Sequence, residues 1–319
     1  MTSTHFTQDL INSFRDDPSL DEQTKAVVMR NLARLKETKV NILVTGATGC
    51  GKSSTINALF NSDKAKVGQG VDPETMDITK YELDNIVLFD SPGLGDGKEA
   101  DQRHAKNIIS KLYEKDASGE PLIDLVLVLL DGSSRDLGTS FELINSVIIP
   151  NLGEDQNRLL IAINQADVAM KGRYWDAERM QPQPELIKFL DDKVESTRRR
   201  IKEATGVDVE PIYYSAGYKD GDQQQQPYNL SKLLAFILRH TKKEKRAVFA
   251  QDINNDQKVW KHDDGLHDYR AEIRKSFLES VADGAMAGAA IGAQLFGPVG
   301  AKIGGVIGAA WGGLKSFFS

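Results

Sequence analysis

An octapeptide, GATGCGKS at residues 46–53, stands between an apolar run, VNILV at 40–44, and a helix-compatible stretch, STINALF at 54–60. A strand that turns at once into a helix through three glycines constrains the whole fold around it. The turn presents bare backbone N–H groups at a helix N-terminus, an arrangement that wraps phosphate. Gly46, Gly49 and Gly51 permit the turn, and Lys52 reaches the β- and γ-phosphates of a nucleoside triphosphate. The Ser53 hydroxyl completes a Mg²⁺ shell made otherwise of water, phosphate and one distant carboxylate. A chance glycine-rich turn with a solvated lysine is the bland alternative, but it requires neither the strand before nor the helix after.

Composition narrows the partners. The 319 residues suffice for one large α/β domain plus further segments. A net charge of −6 argues against a general nucleic-acid binder, so anion binding should be local. The single cysteine, Cys50, lies in the phosphate loop; it excludes an intramolecular disulfide and fits a reducing cytoplasmic compartment. The N-terminal MTSTHFTQDLINSF lacks the basic start and apolar core of a secretory signal.

Residues 21–36 place Val27, Val28, Leu32 and Leu35 on one side of a helix. Segments 78–83 and 86–89 read as strands joined at Asp84-Asn85, a dipeptide suited to a tight hairpin. Apolar runs at 122–130, 159–163 and 212–214 add three strands separated by helical lengths, so the sheet should be mostly parallel. Segment 184–204 reads as a helix with Leu186, Phe189, Leu190, Val194 and Ile201 apolar, ending before Gly206, and 230–240 reads as another. The tract of glutamines at 223–226 beside Pro227 reads as a surface loop without assigned function. The expected division is an N-terminal helical segment (1–38), a nucleotide-binding domain (39–241), a charged helical linker (242–283) and a hydrophobic tail (284–319).

Three later motifs choose the nucleotide. Asp90-Ser91-Pro92-Gly93 ends a strand, where the carboxylate can hold Mg²⁺ through water and the Gly93 N–H can meet a γ-phosphate. By itself it is also a plain Pro-Gly turn. Asn164-Gln165-Ala166-Asp167 follows an apolar strand. The Asp167 carboxylate can accept both N1–H and N2–H of guanine, a donor pair that adenine lacks, while Asn164 would bridge the base edge to the phosphate loop. After the last strand, Ser215-Ala216-Gly217 offers a backbone N–H for the guanine O6.

In order, spacing and strand-end placement, residues 39–241 resemble the translation-factor-related class of P-loop GTPases, in its Era-like and septin-like branch with GxxGxGKSS, DxPG, NKxD and SA signatures. Within it, GATGCGKSSTINALF, VDPETMDITKYEL and DSPGLGDGKEAD look like a group of prophage-associated bacterial GTPases. The resemblance implies a three-layer α/β P-loop GTPase fold, flanked here by the N-terminal helix and the helical, glycine-rich C-terminal tail. It implies GTP or GDP held by Gly46, Thr48, Gly49, Cys50, Gly51, Lys52, Ser53, Ser54, Asp90, Gly93, Asn164, Gln165, Asp167, Ser215 and Ala216. It implies Mg²⁺ at Ser53, Thr75 and Asp90, with Lys52, Thr75 and Gly93 acting in catalysis. Thr79 rivals Thr75 as the first-switch threonine but falls inside a predicted strand.

Departures matter. Gln165 stands at the lysine of NKxD, and is shorter and uncharged, so guanine choice is expected with weaker affinity. Leu94 follows DSPG where Ras-like proteins place the glutamine that orients water. Gly49 stands where potassium-activated relatives carry asparagine. Hydrolysis then needs another group, for which Arg103, His104 and Arg135 are candidates if they are not ordinary surface charges. Septin-like relatives pair across the nucleotide, so a GTP-favoured homodimer is expected.

The tail 284–313 reads GAMAGAAIGAQLFGPVGAKIGGVIGAAWGG, with glycines at 284, 288 and 292 and again at 300, 304, 308 and 312. Glycine at every fourth position lets helices approach closely, as in membrane helix packing. Gly297-Pro298 splits the stretch into two helices, each short of the roughly 20 residues that span a bilayer. An interfacial hairpin contacting the inner face of the membrane through 284–318 is expected, with Trp311, Phe317 and Phe318 at the interface. A close-packed soluble hairpin or an oligomerisation element is the alternative. The expected activity is slow, Mg²⁺-dependent GTP hydrolysis coupled to assembly or membrane contact. The rivals are a non-hydrolysing GTP switch and a membrane-active protein regulated by its GTPase domain.

Overall fold

A computed structural model describes residues 22–60, 66–69, 78–92, 94, 95, 97–220 and 223–281. Thr75, Gly93 and the glycine-spaced tail lie outside the described residues. The phosphate loop leaves strand β1 (Val40–Gly46) and enters helix α2 (Lys52–Leu59); α1 (Glu22–Glu37) precedes them. The remaining strands of the main sheet are β2 (Lys66–Gln69), β3 (Thr79–Glu82), β4 (Ile86–Asp90), β5 (Leu125–Asp131), β6 (Leu159–Asn164) and β9 (Ile212–Tyr213), while β7 (Trp175–Asp176) and β8 (Gln181–Pro182) pair as a separate ribbon. Their spatial order is β2-β3-β4-β1-β5-β6-β9. Pairs β4-β1, β1-β5, β5-β6 and β6-β9 are parallel, while β2 and β3 join as an antiparallel edge. The hairpin expected at Asp84-Asn85 joins β3 to β4, with Glu82 opposite Val87.

Period-two alternation sends neighbouring side chains to opposite faces, and both faces are covered. Ile42, Val44, Leu127 and Leu129 enter one apolar cluster, and Leu43, Val126, Val128 and Leu130 enter the other. Continuous apolar strands such as LVLVLLD are the sequence consequence. The second cluster is closed by α3 (Lys98–Tyr113), by α4 (Gly138–Glu142) with its π-helical continuation Leu143–Ile148, and by α5 (Pro184–Thr205). Helix α5 starts with Pro184 and stops at Gly206, which takes φ 76°, a conformation that suits glycine. Leu186, Leu190 and Ile201 are buried as expected, but Phe189 lies on the shoulder of that stripe and is 36% exposed.

The first cluster is covered by α2, by α6 (Leu230–His240) and by the chain beyond it. Helix α6 is apolar on nearly every side and, Lys232 apart, is buried from Leu230 to Leu238. A helix of that kind needs packing on two faces. The second face is supplied by α7 (Tyr269–Val281) and the 3₁₀ segment Lys243–Gln251. Residues expected as a charged linker therefore contribute Val248, Phe249, Trp260 and Phe277 to the same cluster as β1. Asp252 fastens this segment to the β3–β4 turn, where its carboxylate accepts from the backbone N–H groups of Asp84, Asn85 and Ile86 at 3.1, 2.7 and 2.7 Å. Leu35 of α1 joins this cluster, and Asn31 donates to the Val281 carbonyl at 2.9 Å.

Candidate functional site

The C-terminal ends of β1, β4, β5 and β6 converge on one edge of the sheet, as expected of ligand sites in open α/β folds. At the end of β1 the chain passes against β5 so closely that a Cβ on Gly46 would lie 2.3 Å from the Leu129 carbonyl oxygen. Gly49 and Gly51 take φ 83° and 88°, and Gly51 caps α2 without any side-chain hydrogen bond. The first N–H groups of α2 thus face outward at the positive end of its dipole. Thr48, Gly49, Ser53 and Ser54 are exposed. Lys52 folds back onto the loop, donating to the Gly46 and Ala47 carbonyls at 3.2 and 3.3 Å. Cys50 is fully buried beneath the loop, and burial pushes its thiol pKa up, which makes it an unreactive packing residue.

Asp90 ends β4. Its Oδ1 is buried and has no hydrogen-bond partner. Burial pushes the carboxyl pKa up and the Lys52 charge pulls it down. An orphaned carboxylate oxygen beside the phosphate loop fits a hydrated Mg²⁺, which keeps several waters and takes few protein ligands. Two residues beyond Pro92, Leu94 is 5% exposed in the apolar cluster with Phe89 and Ile108, so it presents no polar group. Among the candidates for replacing the missing glutamine, Arg103 and Arg135 are exposed, whereas His104 is 5% exposed on α3. Thr79 is the first residue of β3.

The base end is assembled from side chains across long sequence separations. Asn164, at the end of β6, donates to the Cys50 carbonyl at 3.0 Å and accepts from the Ala216 N–H at 3.0 Å. It ties the phosphate loop to the Ser215-Ala216-Gly217 loop, and it occupies one of the backbone donors of that triplet, the Ala216 N–H. Gly51 has no room for a side chain here, since its Cβ would lie 2.3 Å from Asn164 Nδ2. Gln165, at φ 63°, reaches the phosphate loop and donates to the Gly49 carbonyl at 2.7 Å. The substitution of lysine thus leaves a bridge to that loop.

Asp167 is 5% exposed. Its Oδ1 accepts from Ser215 Oγ at 2.6 Å and its Oδ2 from Gln225 Nε2 at 2.6 Å. The glutamine tract is therefore not a plain surface loop: residues 223–225 form β11, paired with β10 (Tyr218–Asp220). Sequence reasoning missed Gln225 because four identical residues carry no periodic signal. It also missed Lys193 of α5, whose half-buried ammonium donates to the Gly132 and Ser134 carbonyls at 2.7 Å and braces the turn after β5. Burial lowers the pKa of that ammonium.

Residues 41–165 match a protein-family model described as 50S ribosome-binding GTPase. The translocase of chloroplast 125 of Physcomitrium patens is 34% identical over 132 residues, which are 40% of this chain and 11% of that protein. The uncharacterized protein YfjP of Escherichia coli (strain K12) is 29% identical over 147 residues, 44% of this chain and 47% of that protein. The chain thus spans about a tenth of the moss protein and about half of the bacterial one. Toc33 from Arabidopsis thaliana, solved with Mg²⁺ and GMPPNP, aligns over 66% of this chain and 83% of its own at 16% identity, with a TM-score of 0.39. The family match over residues 41–165, the sheet order and the phosphate loop agree on an α/β P-loop GTPase fold.

Proposed function

We propose that this protein binds GTP and GDP, hydrolyses GTP slowly with Mg²⁺, and couples the nucleotide state to self-association or membrane contact. The observation that carries the reading is the buried, unpartnered Asp90 Oδ1 at the end of β4 beside an open phosphate loop, with Asp167 held just beyond the end of β6, three strands away on the same edge of the sheet. Lys52 would leave its loop carbonyls for the phosphates, and the N–H groups of α2 would receive them. Ser53 and Asp90 would hold Mg²⁺, which supplies neutralisation of phosphate charge. Thr75 and Gly93 take their proposed roles from the sequence. Asp167 would read guanine, which Asp167→Asn tests: GTP affinity should fall about a hundredfold while xanthosine triphosphate binding improves. Unchanged preference would place base reading elsewhere.

Leu94 supports a low intrinsic rate, because a buried leucine cannot orient water. We propose a homodimer facing across the nucleotide as the activator. Single-turnover hydrolysis measured over a range of protein concentrations decides this point: a rate per molecule that climbs with concentration supports the dimer-activated enzyme. The same Leu94 favours a second reading, a GTP-dependent switch without turnover, which predicts no hydrolysis at any concentration. Among the described residues no helix is long and apolar enough to cross a membrane. Peripheral contact of a cytoplasmic protein through residues 284–318 is proposed from the glycine spacing alone; liposome flotation that is equal with and without the tail would remove it.

A further inference from the structure

The base-reading carboxylate is already engaged from within the chain. Ser215, which holds Asp167 Oδ1, belongs to the frame, because its backbone pairs with Tyr228 in both directions at 2.9 Å. Gln225, which holds Oδ2, does not belong to that frame. It sits on β11, which among the described residues pairs with β10 alone, and this small hairpin stands apart from the seven-stranded sheet. Just before β10 the base of the hairpin is tight at Gly217, which takes φ 71° and where a Cβ would lie 2.4 Å from the Gln225 carbonyl oxygen. Gln225 also lines a cavity of about 290 Å³ together with Ala216, Gly217 and Pro227 on one side and Ser54 and Asn57 of α2 on the other. Gln225 thus borders that space and at the same time contacts Asp167.

We propose that Gln225 is a latch on the base-reading site: its side-chain amide holds the place of the guanine edge on Asp167, and guanine must displace it to bind. The inference rests on Asp167 reading guanine. An amide N–H on a carboxylate is a charge-assisted bond, and Gln225 supplies one such bond where guanine supplies two. Exchange therefore favours the base while still charging it the opening of the hairpin. Apparent affinity is reduced by the fraction of molecules that are open.

The test uses the full chain and a fluorescent GDP, comparing wild type with Gln225→Ala and Gln225→Glu. Both variants should bind GDP about tenfold more tightly, through faster association. The glutamate keeps the length but is repelled by Asp167, so its effect should be at least as large. If neither variant binds GDP more tightly, the latch is overturned; weaker binding would make Gln225 a positioning residue and overturns it equally. Asp167→Asn assayed with GDP and xanthosine diphosphate separates the two levels of inference. A switch toward xanthine with unaltered Gln225 variants sinks the latch alone. An unchanged base preference sinks the base-reading assignment and the latch with it.

Discussion

The phosphate end and the base end of the site lie on the same edge of one sheet, yet they are built in opposite ways. The phosphate end is backbone: glycines at left-handed angles, a helix capped by glycine without a side-chain hydrogen bond, and exposed Ser53 and Ser54. The base end is side chain, with buried Asn164 and Asp167 engaged by partners from 48 to 114 residues away. The first is open and preformed; the second is closed on itself. On the proposed function, the exposed helix terminus would meet an anion with only Lys52 leaving its carbonyls, whereas the base would be selected at a carboxylate already engaged from within the chain.

The joint between the two ends is Gly51 against Asn164, and breaking it gives the largest expected effect. In Gly51→Ala a methyl group would stand where Asn164 Nδ2 lies, at a backbone angle that alanine adopts only under strain. The cost of about 3 kcal/mol should lower GTP affinity about a hundredfold, as read by calorimetric titration. Wild-type affinity in the variant would mean that the ends work independently. Removing Mg²⁺ with EDTA should act on the phosphate end alone, weakening GTP about tenfold while leaving the preference for guanine over xanthine unaltered. A changed base preference would show that the ends are not separable. The smallest effect is expected from Gln165→Ala, which loses one bond to the Gly49 carbonyl. About 1 kcal/mol, or roughly fivefold in GDP affinity, should result, measured by fluorescence titration. No change there would make Gln165 a spectator and leave Asn164 as the sole bridge from that motif.

The strands, their parallel arrangement and the phosphate loop were legible because each is written locally: an apolar run, a glycine triplet, a proline at a helix start. The helix at Pro184–Thr205 could be read to within one residue at its end, since Gly206 marks where it stops. The packing of residues 243–281 was less legible. Their charge suggested a helical linker, yet Phe249, Trp260 and Phe277 are spaced too widely for one periodic pattern and find their partner only when α6 presents its outer face. Gln225 illustrates the same limit at the site, because its meaning depends on a hairpin that folds back 58 residues beyond Asp167.

The sequence by itself determined the phosphate loop, the order of the strand-end motifs and the absence of a glutamine after Asp90-Ser91-Pro92-Gly93, because these depend on backbone conformation and residue type within a few positions. Only the tertiary structure decided that Asp90 keeps an unpaired oxygen, that Asn164 spends its amide on Cys50 and Ala216, and that Asp167 is closed by Gln225. Whether a polar atom is satisfied depends on every neighbour brought to it by the fold, and no local pattern carries that information.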